Sequence, residues 1–295
     1  MDLVSLTRFL NGFLMIALPI ILGIFLVYTF KSSWKIWLIG GATFIISQVF
    51  HLPFNSYVLN PMLTAVQQLL PGIPGSLSVA VIVGLSAGVF EECARYAMFR
   101  WWLQDKHSWR TAVLAGAGHG GAEAIFLGAV VMWVFINMVA VRNADLSKLN
   151  IAPDQLELAR QQVQAYWSLP WYNTLFGALE RIFTFPFHIM ATVVVLQVFT
   201  RRPGQQQLGW LGLAIALHTL MDASAVFIAG QWSGYAAEAV LGGLAVIDIF
   251  IIFALRQPEP TSNEPTTTST SPVLPEFTPK AIEETSDNLD KTRYQ

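Results

Sequence analysis

Apolar stretches of about twenty residues alternate along the chain with short polar breaks, and each stretch is long enough to cross a bilayer as a helix. Seven windows fit: residues 9–30, 34–51, 77–102, 111–141, 172–200, 208–229 and 235–255. The pattern predicts an all-α, polytopic transmembrane helix bundle of about seven spans. Between the second and third windows, residues 61–70 are uncharged, few and bounded by Pro61 and Pro71, which predicts an interfacial or re-entrant helix. In the long connection 142–171, Pro153-Asp154 marks a helix start, and Leu156, Ala159, Val163 and Trp167 share one stripe. That connection ends in Tyr-Trp-Ser-Leu-Pro-Trp-Tyr and reads as an amphipathic helix lying on the membrane.

Composition agrees: 54% of the 295 residues are hydrophobic and 12% charged, against about a quarter charged in soluble domains. The net charge of -2 hides a division, because the stretch 257–295 holds seven acids against three bases. Rich in Pro, Thr, Ser and Glu, that stretch reads as a disordered polar cytoplasmic tail behind an integral membrane helical domain, 1–256, with its core at 77–228. No basic face suited to nucleic acid appears. Cys93 is the single cysteine, so no intrachain disulfide forms, and a packing role is expected for it. The first window is too long for a signal-peptide core and lacks a small-residue cleavage site, so it reads as a span. Lys31, Lys35, Arg100, Lys106, Arg110, Arg201, Arg202 and Arg256 fall on one side, against Arg8, Arg142, Lys148 and Arg160 on the other. The bias places a multi-pass protein in the cell membrane with its N-terminus outside and its C-terminus in the cytoplasm.

Charge inside the spans changes the picture most. The third carries Glu91, Glu92 and Arg95; the fourth, His119 and Glu123; the fifth, Glu180, Arg181 and His188; the sixth, His218 and Asp222. Charges at membrane depth cost about 2.5 to 3.5 kcal/mol each, so these groups must meet partners or water. Glu91 and Arg95, His119 and Glu123, and His218 and Asp222 are each four apart, on one helix face. At ~1.5 Å per residue, Glu91 lies about 14 Å from Arg100, His119 about 14 Å from Arg110, His218 about 16 Å from Gln207 and His188 about 20 Å from Arg201. Four helices therefore converge on one polar centre, a four-helix catalytic core. Five carboxylates face two arginines there, so either some carboxylates carry protons or a divalent cation is present. Three imidazoles from separate helices suit Zn²⁺, with a nearby glutamate as general base. Gly116 and Gly120 form a small face that admits another backbone, a helix or an extended substrate. Asp248 is expected to make a structural hydrogen bond, His51 and Glu238 to be interfacial, and His107 to be solvated.

Glu-Glu-x-x-Arg, Gly-His-Gly-Gly-x-Glu, Glu-Arg followed by His, and His-x-x-x-Asp on successive spans resemble the YhfC family of intramembrane metalloproteases. That family is placed with the CAAX-protease and bacteriocin-processing superfamily, which includes PrsW-like proteases. The resemblance covers roughly 77–228 and implies that Glu91 or Glu92 activates water. It further implies that His119, His188 and His218 serve as metal ligands or transition-state donors, and Asp222 as a ligand or orienter. Arg95 is expected to be catalytic with Glu91 and Glu92, stabilising the oxyanion together with imidazole where no metal is bound, and Glu123, Glu180 and Arg181 are expected to stand behind the ligands. The chain departs from the wider superfamily in placing Arg95 one residue earlier, Thr184 and Ala115 where phenylalanine precedes the histidines, and Asp222 where asparagine is common. The expected activity is hydrolysis of peptide bonds in membrane-associated substrates, with membrane lipid and a membrane-bound peptide or protein as partners. The alternatives are a metal-independent glutamate protease and a proton- or cation-coupled transporter, the latter weakened by the lack of an internal repeat.

Overall fold

A computed structural model describes residues 2–146, 152–201 and 207–258. Lys148 and Arg202, two of the bases that set the expected orientation, and the tail beyond residue 258 lie outside the described residues. The regular structure of the described residues is helical: α1 Leu3–Phe30, α2 Trp34–Phe54, α3 Asn60–Leu69, α4 Ile73–Ala97, α5 Trp109–Val141, α6 Pro153–Ser168, α7 Phe176–Thr200, α8 Gln207–Gln231 and α9 Gly234–Ala254. Seven of these stretches are long and apolar enough to span a membrane. Side-chain caps start several of them: Asp2 accepts from the Ser5 N–H at 2.8 Å, Ser108 from the Thr111 N–H at 3.3 Å, and Ser233 from the Ala236 N–H at 3.2 Å.

The second span is longer than its apolar window. α2 runs through a π turn, Asn55–Leu59, directly into α3, so Trp34–Leu69 is one helical stretch. The helix expected at 61–70 is present as α3, but it continues α2 and does not stand apart from it. In the π turn the Asn60 N–H donates to the Asn55 carbonyl, five residues back, and the chain passes Pro61 in the first turn of α3, where a missing N–H is tolerated. A second π turn, Met98–Trp102, ends α4.

The central helix α5 packs against α1, α2 and α7; α4 packs against α8, and α7 against α8 and α9. Glycine sets the closest of these contacts. A Cβ on Gly40 would lie 1.9 Å from the Ala115 carbonyl oxygen, and one on Gly118 1.9 Å from that of Trp37, so α2 and α5 touch backbone to backbone. The outer surface is apolar, with Phe25, Phe50, Trp133, Val246 and Phe250 all exposed, as befits a surface whose solvent is hydrocarbon.

α6 carries the expected stripe: Leu156, Ala159, Val163 and Trp167 are half-buried while most of their neighbours are exposed. Its end is clamped by cations. Arg8 lies over the Tyr166 ring at 3.4 Å and Arg142 over the Trp167 ring at 4.1 Å, while Arg142 pairs with Asp2 at 2.6 Å. The Ser5 N–H, its hydroxyl and Arg142 together lower the Asp2 pKa to about 2.

Candidate active site

α4 supplies two carboxylates that face different surroundings. Glu91 Oε2 lies 3.0 Å from His119 Nε2 and 3.5 Å from Arg95 Nη2, and Glu91 Oε1 accepts from Gln48 Nε2 at 3.2 Å. Glu92 Oε1 accepts from Arg95 Nη1 and lies 2.7 Å from His218 Nδ1. Arg95, fully buried, reaches onward with Nη2 to His188 Nδ1 at 3.0 Å. An arginine only donates, so this Nδ1 accepts and the His188 proton sits on Nε2, which donates to Glu123 Oε2 at 2.9 Å. Glu123 Oε1 in turn pairs with Arg181 at 2.5 Å, and Arg181 with Glu180. His218 Nε2 lies 3.5 Å from Asp222 and 4.0 Å from Glu91, so both of its ring nitrogens face carboxylates. Residues of α4, α5, α7 and α8 thus form one connected polar network.

The local packing explains how the imidazoles reach it. A Cβ on Gly116 would lie 2.7 Å from the Ile189 Cα, and one on Gly120 2.6 Å from His188 Cδ2. The small face on α5 therefore admits a helix, α7, and seats the His188 ring. Phe44 meets His119 edge-on at 5.4 Å and Phe187 meets His218 at 4.9 Å, which fixes both rings between apolar walls.

Above the network is a cavity of about 530 Å³ walled by α2, α4, α5, α7, α8 and α9. Glu91, Glu123, Glu180, Arg181, His188, His218 and Asp222 line it; its other walls include Ile45, Val49, Phe126, Leu127 and Leu241. Glu92, Arg95 and His119 are not among its lining residues and lie within the packed helices, each 1% exposed or less. One donor atom each from Glu91, His119 and His188 lie within 4.8 Å of one another, and all three residues are buried. Two imidazoles and a carboxylate are a donor set that zinc accepts in catalytic sites, so the residues present fit a divalent metal. His119 Nδ1 has no hydrogen-bond partner among the described residues.

The sequence reading found α2 as a span but missed its part in the site. Gln48 holds Glu91, and His51, expected at a span end, is 6% exposed with its Nε2 2.9 Å from Ser86 Oγ. The cue was available: Gln48, His51 and Asn55 recur at helical spacing in a run that is otherwise mostly apolar. Other placements also differ. Cys93 is exposed on α4 rather than packed inside. His107 is half-buried rather than solvated, its Nε2 on the Phe99 carbonyl at 3.1 Å. Asp248 is buried, and its Oδ2 has no hydrogen-bond partner among the described residues.

A family model described as YhfC intramembrane metalloprotease matches residues 14–244. Its reach takes in α2, as the geometry requires. A Bacillus subtilis (strain 168) protein described as "Uncharacterized membrane protein YhfC" is 29% identical over 257 residues, covering 84% of this chain and 95% of that protein. No solved structure matches the chain.

Proposed function

This chain belongs to the YhfC intramembrane metalloprotease family, and from that premise we propose that it hydrolyses peptide bonds of membrane-associated substrates. The observation that carries the reading is the buried meeting of Glu91, His119 and His188, the first and last of which line a cavity, in a protein with seven candidate membrane spans. These three residues would hold a divalent metal such as Zn²⁺, which when bound supplies Lewis acidity toward a carbonyl and makes water acidic near neutral pH.

The chain's own groups divide the remaining work. Glu91 is the member of the α4 pair open to the cavity, so it is the carboxylate that a water there meets: it would be a ligand where a metal is bound, and the group placed to take the proton of that water where none is. Gln48 and Arg95 fix that carboxylate from two sides. Glu92, closed off below, neutralises Arg95 and orients His218. Glu123 accepts from His188 Nε2 and sets its tautomer, while Arg181 balances Glu123 and Glu180. His218, with Asp222 behind it, faces the cavity as a donor to the developing oxyanion. The bias of basic loops supports an orientation with the N-terminus outside and the C-terminus in the cytoplasm.

One observation favours a metal-independent glutamate protease as the second reading: both ring nitrogens of His188 and both of His218 already face partners within the protein. Elemental analysis of the detergent-purified protein, paired with cleavage of a quenched fluorescent apolar peptide library, separates the two. Cleavage with about one metal per chain supports the first reading, and cleavage that survives with no metal supports the second. A well-folded protein that cleaves nothing while Glu91→Gln alters ion flux in liposomes would instead identify a transporter.

A further inference from the structure

The residues of α2 and of the start of the following π turn that line the cavity divide into apolar Phe44, Ile45, Val49 and Leu52 and polar Gln48, His51 and Asn55. The polar three sit at i, i+3 and i+7, a single stripe about 10 Å long at ~1.5 Å per residue. The stripe begins at the reaction centre, because Gln48 donates to Glu91. It continues through His51, whose Nε2 meets Ser86 Oγ at 2.9 Å, to Asn55, whose Oδ1 accepts from Ser86 at 3.5 Å. Each of the three has a second side-chain polar atom beyond the one so engaged: Gln48 Oε1, His51 Nδ1 and Asn55 Nδ2.

The proposed chemistry uses only the Gln48 end of this stripe. Polar groups along a wall at membrane depth are costly unless something bonds to them. A helical substrate has little to offer, because its main-chain groups are bonded to one another. An extended segment offers N–H and C=O groups every ~3.3 Å, so a stripe about 10 Å long matches some three residues of it. The apolar residues beside the stripe suit the side chains of such a segment. Resting on the hydrolase reading, we propose that the Gln48, His51 and Asn55 stripe of α2 is a docking edge for the main chain of an extended peptide, which it holds beside Glu91.

The test uses the full chain in lipid nanodiscs with Glu91→Gln, so that binding is read without cleavage. The probe is a 20-residue Leu/Ala peptide with a central Gly-Ser pair and a photoreactive leucine, compared with the same peptide N-methylated at its three central amides. The parent is expected to be captured saturably with an apparent Kd about tenfold lower than that of the methylated form. Asn55→Leu is expected to remove that difference by weakening the parent alone, and Asn55→Gln to keep most of it. Equal capture of the two peptides, indifference to Asn55→Leu, or no saturable capture would each overturn the docking edge. With Glu91 intact, Asn55→Leu should raise KM for the parent more than it lowers kcat. Cleavage with KM unmoved by Asn55→Leu removes the docking edge and leaves the hydrolase reading standing. Backbone-dependent capture of a peptide that the wild type never cleaves does the reverse.

Discussion

Glu91 and Glu92 are consecutive on α4, yet Glu91 lines the cavity while Glu92 lies fully buried against Arg95 and His218. Successive helical residues point about 100° apart, so a tandem pair at a helix interface necessarily serves two different neighbours. Glu91→Gln is therefore expected to abolish peptide hydrolysis while the protein still inserts and purifies as a folded species. Glu92→Gln is expected to act first on stability, because it leaves Arg95 short of a counter-charge, at a cost on the order of 3 kcal/mol. Thermal unfolding in detergent, measured beside the cleavage rate, checks both; equal activity and equal melting in the two variants would contradict the division.

Metal retention should follow the same geometry. His119→Ala and His188→Ala are expected to lose a bound divalent metal, because with Glu91 they are the residues whose donor atoms approach one another. His218→Ala should retain it, since His218 does not belong to that group of approaching donor atoms. Elemental mass spectrometry of the three purified variants decides this, and loss in the His218 variant would return that residue to the ligand set.

Gly120 tests positioning without touching a charged group. A Cβ there would lie 2.6 Å from the His188 ring, so Gly120→Ala should displace the imidazole and lower cleavage by roughly 10²-fold. Gly209→Ala, where an added Cβ meets nothing within 4 Å, should leave activity unchanged. Cleavage assays of the pair at equal expression provide the comparison.

The clamp on α6 should be resistant to acid. The folded Asp2 pKa is lowered, so its contribution is present above the ordinary value of 3.8 and fades only as pH falls toward about 2. Arg142, which pairs with Asp2, also lies over Trp167, so tryptophan fluorescence should report the release. The pH-dependent difference between wild type and Asp2→Asn should have its midpoint near pH 2; a midpoint near 3.8 would mean that Asp2 is unpaired in solution.

Hydrophobic run length sufficed for the seven spans, because a helix crossing hydrocarbon must satisfy its own backbone and present about twenty apolar residues whatever its neighbours are. The amphipathic stripe of α6 was legible for a similar reason, since helical periodicity is local. Charges within apolar runs, taken with depth along each helix, also pointed to Glu91, His119, His188 and His218 as one centre, because burial makes isolated charge too costly to leave unpaired. Rotation about each helix axis and the choice of neighbours were beyond the sequence. Only packing decided that Glu91 and not Glu92 opens to the cavity, that α7 and not a substrate fills the face of Gly116 and Gly120, and that α2 brings Gln48 to Glu91. The uninterrupted run from α2 into α3 also escaped the sequence reading, because Pro61 signals a break unless a π turn carries the chain past it. Those outcomes depend on backbones that approach across glycine and on hydrogen bonds between residues far apart in the chain, which no local pattern encodes.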